Sequence, residues 1–166
     1  MKKLMLLIAL VVILISCKME QAPQQYFEES PEIEIAKKVI DAYLKQDWAA
    51  LRAPYSDTAR IWPNIWYTSP GISIDESIAG DKAFVSSLSS YTYEVALWEM
   101  IINNNGDKWV HFWGKWVGRF AQDSTEIVVP VHIAFGFTGD KITQEAGFWD
   151  NLPGYLAQEA LEKPDK

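Results

Sequence analysis

Between residues 92 and 150 the chain alternates long apolar-and-aromatic runs with the dipeptides Asn105-Gly106, Asp123-Ser124 and Gly139-Asp140. Dipeptides of this kind close tight hairpins, because glycine and short polar residues tolerate the backbone angles such turns demand. Four strands, near 92–102, 108–121, 126–138 and 141–150, should therefore follow one another as an antiparallel meander. One face of such a sheet must be covered, and the covering has to come from elsewhere in the chain.

Upstream, the pattern changes period. Ser30-Pro31-Glu32 is a helix start, with serine as N-cap, proline in the first turn and a carboxylate facing the positive end of the dipole. Ile33, Ala36, Val39, Ile40, Tyr43 and Leu44 then fall on one helical face. Asp47 is positioned to cap a second short helix that turns Trp48 and Leu51 inward, ahead of a strand around Thr58–Trp62. Pro63 and Pro70-Gly71 interrupt the chain, and Asp81 is expected to cap a third helix carrying Ala83, Phe84 and Leu88. A last helix is expected over 152–161. Helices first and an antiparallel sheet afterwards predict an α+β domain over 31–161, with N-terminal helices packed on a strongly curved sheet and a polar, disordered tail at 162–166.

The N-terminus reads differently. Met1-Lys2-Lys3 precedes an uncharged run from Leu4 to Ile15, which has the composition of an export signal and is short for a membrane span. The closing Leu14-Ile15-Ser16-Cys17 resembles the lipobox of bacterial lipoproteins. That resemblance implies a signal peptide over 1–16, a lipid on Cys17, and a tether over 17–30 with no hydrophobic period. Lys18 after the cysteine gives no reason for inner-membrane retention, so the expected address is the cell envelope, the outer membrane ahead of the inner. Cys17 is the sole cysteine, so neither a disulfide nor a thiolate site is available to the folded domain. Without Lys2 and Lys3, 13 basic side chains face 22 acidic ones, a net of −9. That balance repels nucleic acid and anionic headgroups, which leaves the acyl chains as the expected membrane contact.

The order of elements from 31 to 158 resembles the nuclear transport factor 2-like superfamily, which includes ketosteroid isomerases and SnoaL-like polyketide cyclases. The residues carrying the resemblance are Asp47-Trp48-x-x-Leu51-x-x-x-Tyr55-x-Asp57-x-Ala59, Gly80-Asp81-Lys82-Ala83-Phe84, and Gly139-Asp140-Lys141-Ile142 leading to Phe148-Trp149-Asp150. It implies a cone with a blind internal cavity; it does not imply one activity.

Two-residue turns sort side chains by face. Val110, Phe112, Gly114 and Trp116 share a face with Val131, Ile133, Phe135 and Phe137, and an unbroken last strand adds Ile142, Gln144, Ala146, Phe148 and Asp150. This mainly apolar set is expected to be concave. Trp109, His111, Trp113, Lys115, Arg119, His132, Glu145 and Trp149 then face outward, with His132 opposite Lys115. The strand from Glu94 to Ile102 has two readings. A strict Asn-Gly turn sends Glu99 inward, whereas a longer loop sends Trp98 and Met100 inward; the second is favoured because a lone buried carboxylate is costly.

Asp150 is the catalytic candidate, since the strand-end motif it resembles carries a working aspartate in the cyclases; Gln144 is its candidate polarising partner. The alternative role for Asp150 is a cap for the helix beginning at Asn151-Leu152-Pro153. The isomerases' base falls on Pro63, their tyrosine near Ile40 and their second acid at His132 or Ile133, so the resemblance does not extend to steroid-type isomerisation. Trp62 and Trp66 are placed at the cavity mouth, with Trp98, Phe112, Trp116, Phe135 and Phe148 as further ligand contacts. His111 and His132 read as outer-face residues, and neither a metal nor a cofactor is expected. Trp109, Trp113 and Trp149 form a candidate homodimer face. Three functions remain, in order: a lipid-tethered module binding a small apolar ligand, a small cyclase- or hydratase-type enzyme using Asp150, and an accessory envelope subunit.

Overall fold

The computed structural model describes residues 24–65 and 69–162. Cys17, the signal segment and Trp66 lie outside the described residues. Helix α1 (Pro31–Leu44) starts as its sequence requires: the Ser30 hydroxyl accepts from the Ile33 amide at 3.1 Å. Its buried face is Ile33, Ala36, Val39 and Ile40, joined by Ala42. Glu32, also buried, is held by Lys108 at 2.5 Å. Gln46 takes a left-handed φ of 55°, ending the helix, and the Asp47 carboxylate then accepts from Ala50 N at 3.0 Å to cap α2 (Trp48–Arg52).

Helix α3 (Ile74–Val85) begins a full two turns before the expected position. Its cap is Ser73, and Glu76 reaches back to the Ser73 amide to complete a capping box. This S-x-x-E start satisfies two orphan amides at once, whereas Asp81 would have satisfied one. Asp81 is thereby moved from the helix start into its interior.

The sheet has six strands: β1 (Tyr26–Phe27), β2 (Tyr55–Pro63), β3 (Leu88–Ile102), β4 (Lys108–Phe120), β5 (Glu126–Thr138) and β6 (Lys141–Trp149). Their order is β1-β3-β4-β5-β6-β2, with β2 parallel to β6 and the other pairs antiparallel. Strand β1 falls within the segment expected as tether. It adds a short edge to β3, pairing Tyr26 with Ile101 and Phe27 with Met100. Helices α1 and α3, with the terminal α4 (Leu152–Glu162), cover the concave side. Among the described residues no helix is long and apolar enough to cross a membrane.

Three turns decide which side chains look inward. Asn103 and Asp107 close a longer loop between β3 and β4, and Trp98 and Met100 face Phe112 and Val110 on the inner side, leaving Glu99 outside. Between β4 and β5 the closing pair is Phe120 with Thr125, around a four-residue loop in which Ser124 has φ 62°. The pairing is offset by two from that of a two-residue turn, so faces are preserved but partners change: His132 lies opposite Trp113, and Lys115 opposite Pro130. Between β5 and β6 the two-residue turn forms, pairing Thr138 with Lys141 and Phe137 with Ile142. The next pair is Gly136 with Gln144. Thr143 is an extra residue, a bulge, and an odd insertion inverts every side chain beyond it. Glu145, Gly147 and Trp149 therefore share the inner face with Phe135, Ile133 and Val131, while Gln144, Ala146 and Phe148 face out.

The core beneath the cavity contains Ile33, Ile61, Val110, Phe112, Phe135 and Ile142, each fully or almost fully buried. A second cluster of Trp116, Phe120, Ile127 and Val129 packs against Ala157 of α4.

Candidate functional site

A cavity of about 1300 Å³ opens between the concave sheet face and helices α1, α3 and α4. Its walls are largely apolar, with Ile133 and Phe135 from β5, Trp116 from β4 and Phe84 from α3. Two carboxylates, Asp81 and Glu145, and three phenols, Tyr43, Tyr55 and Tyr93, are set into these walls at least partly buried, whereas the lining residues Glu76, Asp150 and Tyr155 are exposed. Glu145 reaches the cavity because of the Thr143 bulge. Asp81 reaches it because Ile74, Ile78, Asp81 and Val85 follow one another at helical spacing, and the three apolar members of that row are buried.

The Tyr55 hydroxyl donates to Glu145 Oε2. The two residues come from strands that neighbour each other in the sheet yet lie 90 positions apart in sequence. Burial pushes Glu145 up from its ordinary range to about 7; the Asp81 charge adds to this, and the Tyr55 hydrogen bond opposes it by favouring the ionised form. Asp81 is pushed up to about 6 by burial. It makes no hydrogen bond or ion pair with any described residue. The hydroxyls of Tyr43, Tyr55 and Tyr93 are all raised above the usual phenol range, chiefly by burial, so each stays protonated and available as a donor. Tyr93 packs edge-on against Phe112 at 4.9 Å and has no hydrogen-bond partner among the described residues. The site thus combines a carboxylate poised between its two states near neutrality with an unengaged neutral donor.

The residues singled out from sequence are distributed unevenly around this site. Trp116 and Phe135 line the cavity. Trp98 and Phe112 face inward but stack on each other at 4.5 Å in the core and do not border the cavity. Phe148 is on the outer face, near the His132 ring, because of the bulge. Trp62 also sits outside the cavity: it pairs with Ala146, packs over Gly71, and donates its ring N–H to the Ser69 carbonyl at 3.0 Å. Gln144 is exposed beside Arg60 of β2, so it is no partner for a cavity acid. Asp150 borders the mouth but is solvent-exposed, and its Oδ1 accepts from Leu152 N at 2.9 Å, the helix-starting role.

The proposed tryptophan trio does not share a face. Trp109 lies outside, over Gly136, and Trp113 is outside and 46% exposed. Trp149 lies inside, where a Cβ on Gly147 would come within 2.5 Å of its ring. On the outer face His111 Nδ1 and His132 Nε2 are 2.9 Å apart, and His132 stacks on Trp113 at 3.9 Å. Burial lowers both imidazoles below their ordinary pKa. Among the described residues no three potential ligands gather as a metal site would require.

Sequence reasoning passed over Asp81 as a cavity group, and over Glu145, Tyr43, Tyr55 and Tyr93. For Asp81 the signal was present in Ser73-Ile74-Asp75-Glu76, a capping box that sets the helical phase. For Glu145 the alternation itself does not reveal a bulge at Thr143.

No family model and no curated protein matches the chain. Solved structures do. An NTF2-like protein from Burkholderia thailandensis superposes with a TM-score of 0.60 at 18% identity, over 82% of this chain and 99% of that one. A protein from Shewanella putrefaciens, designated a SnoaL-like polyketide cyclase, gives 0.58 at 13% identity, over 82% and 100%. An NTF2-like protein from Burkholderia xenovorans gives 0.57 at 15%, over 80% and 98%. The chain therefore has the cone-shaped α+β fold of the nuclear transport factor 2-like superfamily. At these identities the likeness is one of fold.

Proposed function

We propose that this domain takes up a small, largely apolar molecule in its cone and exchanges a proton with it through Glu145. The observation that carries the reading is the Tyr55–Glu145 pair set in an apolar cavity, where burial holds the carboxyl near pKa 7. A base is most effective when its pKa lies near the working pH, since enough of it is ionised and it still holds a proton firmly. Tyr55 positions the carboxylate, and Tyr93 is the donor suited to polarise a ligand oxygen. Lipidation at Cys17 would tether this activity to the envelope and restrict it to molecules encountered there. Binding without chemistry is the first alternative, and the same cavity supports it.

A generic carbon acid separates the two. The ring opening of 5-nitrobenzisoxazole needs only a base: the proton moves to the carboxylate as the N–O bond breaks and the phenolate departs. The protein is expected to accelerate it, with a rate rising through about pH 7 as Glu145 ionises. Glu145→Gln should lower that rate by about 10²–10⁴-fold, while Asp150→Asn leaves it near wild type. Equal rates for Glu145→Gln and wild type, with the probe still quenching tryptophan fluorescence, would remove the chemistry and leave a binding module.

A further inference from the structure

We infer that the molecule this cavity accepts is a protonated amine on an apolar body. The inference rests on the cavity reading above and specifies the ligand's charge. Among the described lining residues there are four carboxylates, Glu76, Asp81, Glu145 and Asp150, and no lysine, arginine or histidine. Two of the four are occupied locally: Glu76 completes the Ser73 capping box and Asp150 holds the Leu152 amide. Asp81 and Glu145 are not. Glu145 receives one hydrogen bond, from Tyr55, and Asp81 receives none from any described residue.

Two cations near the site are committed elsewhere, and a third, Arg60, is exposed and acts on Glu76 rather than on Asp81 or Glu145. Lys82, the residue after Asp81, lies over the Trp48 ring at 5.7 Å. Arg52 is bound by Asp57 at 2.9 Å and Asp75 at 3.2 Å. A carboxylate drawn into apolar surroundings without a counter-charge is costly in either form, because the ionised group loses water and the neutral one is held away from its natural state. An ammonium entering the cavity would supply the missing partner and N–H donors for both carboxylates.

The walls suit the same ligand. Tyr43, Tyr93, Phe84 and Trp116 border the cavity from α1, β3, α3 and β4, with Phe84 5.6 Å from Trp116. Aromatic faces carry negative charge and attract ammonium groups, most strongly where water is excluded. An anionic ligand meets the opposite of everything it needs: negative walls and no basic side chain. A neutral ligand gains the apolar contacts alone.

Three probes of one shape test this: 2-phenylethylamine, 2-phenylethanol and phenylacetate, titrated against the full chain by tryptophan fluorescence at pH 7.5. Ionic strength of about 150 mM keeps long-range attraction to a negative protein out of the comparison. The amine is expected to bind at least tenfold more tightly than the alcohol, with phenylacetate weakest. Asp81→Asn should remove most of that preference while leaving the alcohol's affinity within about twofold. Alcohol binding as tight as the amine, or phenylacetate binding tightest, overturns the inference and leaves the cavity reading intact. An amine preference that survives both Asp81→Asn and Glu145→Gln also overturns it, since the charge would then be read elsewhere. If none of the three binds while 5-nitrobenzisoxazole is still turned over, the amine inference alone falls. If that fails too, both do.

Discussion

Glu145→Gln is expected to stabilise the domain at pH 8, by about 1–3 kcal/mol, and to change it little at pH 5. In the folded protein burial raises this carboxyl to about 7 from the usual 4.5. Between those values the native state holds a proton that the unfolded chain releases, so folding is favoured at the acidic end and weakened as pH climbs toward 7. Asp81, raised to about 6 from 3.8, adds a slope of the same sign over a lower window. Glutamine removes the charge yet keeps an oxygen for the Tyr55 hydroxyl, so the variant avoids the desolvation penalty without leaving the phenol unpaired. Urea unfolding at the two pH values reads the effect. A variant less stable than wild type at both would mean that the Glu145 charge is compensated in the native state, against the cavity as described. Loss of activity accompanied by gain of stability is what a group retained for its chemistry should show.

The second large effect concerns packing. Phe112→Ala is expected to cost about 3–5 kcal/mol, a substantial share of what a domain of this size has. The side chain is fully buried, with Trp98 at 4.5 Å and Tyr93 at 4.9 Å between ring centres, so its removal leaves a void that its neighbours fill poorly. Phe148→Ala should cost about 1 kcal/mol or less, since that ring is only partly covered on the outer face. An unbulged β6 would bring Phe148 into the cone and make the two substitutions comparably damaging. The pair of denaturation curves thus reports directly on whether Thr143 is inserted.

How far the chain could be read follows from these details. Local signals were enough for α1, whose cap, proline and apolar face are all coded within fifteen residues, and for the meander, whose turn dipeptides punctuate long strands. Even-numbered differences did no harm: the loop at Ala121–Ser124 is two residues longer than a minimal turn, which moved His132 from Lys115 to Trp113 but kept both strands' faces. An odd insertion at Glu94 in β3 puts Tyr93 on the same face as Trp98, and the one at Thr143 moved everything beyond it in β6. The Thr143 insertion took Glu145 and Trp149 inside, put Phe148 and Gln144 outside, and so exchanged the candidate acid for another carboxylate five residues away. Asp81 was misplaced for a different reason. Aspartate is a good cap, and a good cap inside a helix is hard to distinguish from one at its start unless the stronger capping box upstream is weighed first. The partnership of Tyr55 with Glu145 is set by parallel pairing of β2 with β6, a long-range contact that no local pattern encodes.

The proposed chemistry depends on the protonation of one side chain. The direct measurement is an NMR titration of the Glu145 side-chain carboxyl carbon, assigned by its disappearance in Glu145→Gln. The midpoint is expected near pH 7, and higher in Tyr55→Phe, where the hydrogen bond favouring the ionised form is gone. A midpoint in the ordinary glutamate range, about 4 to 4.5, would contradict the account.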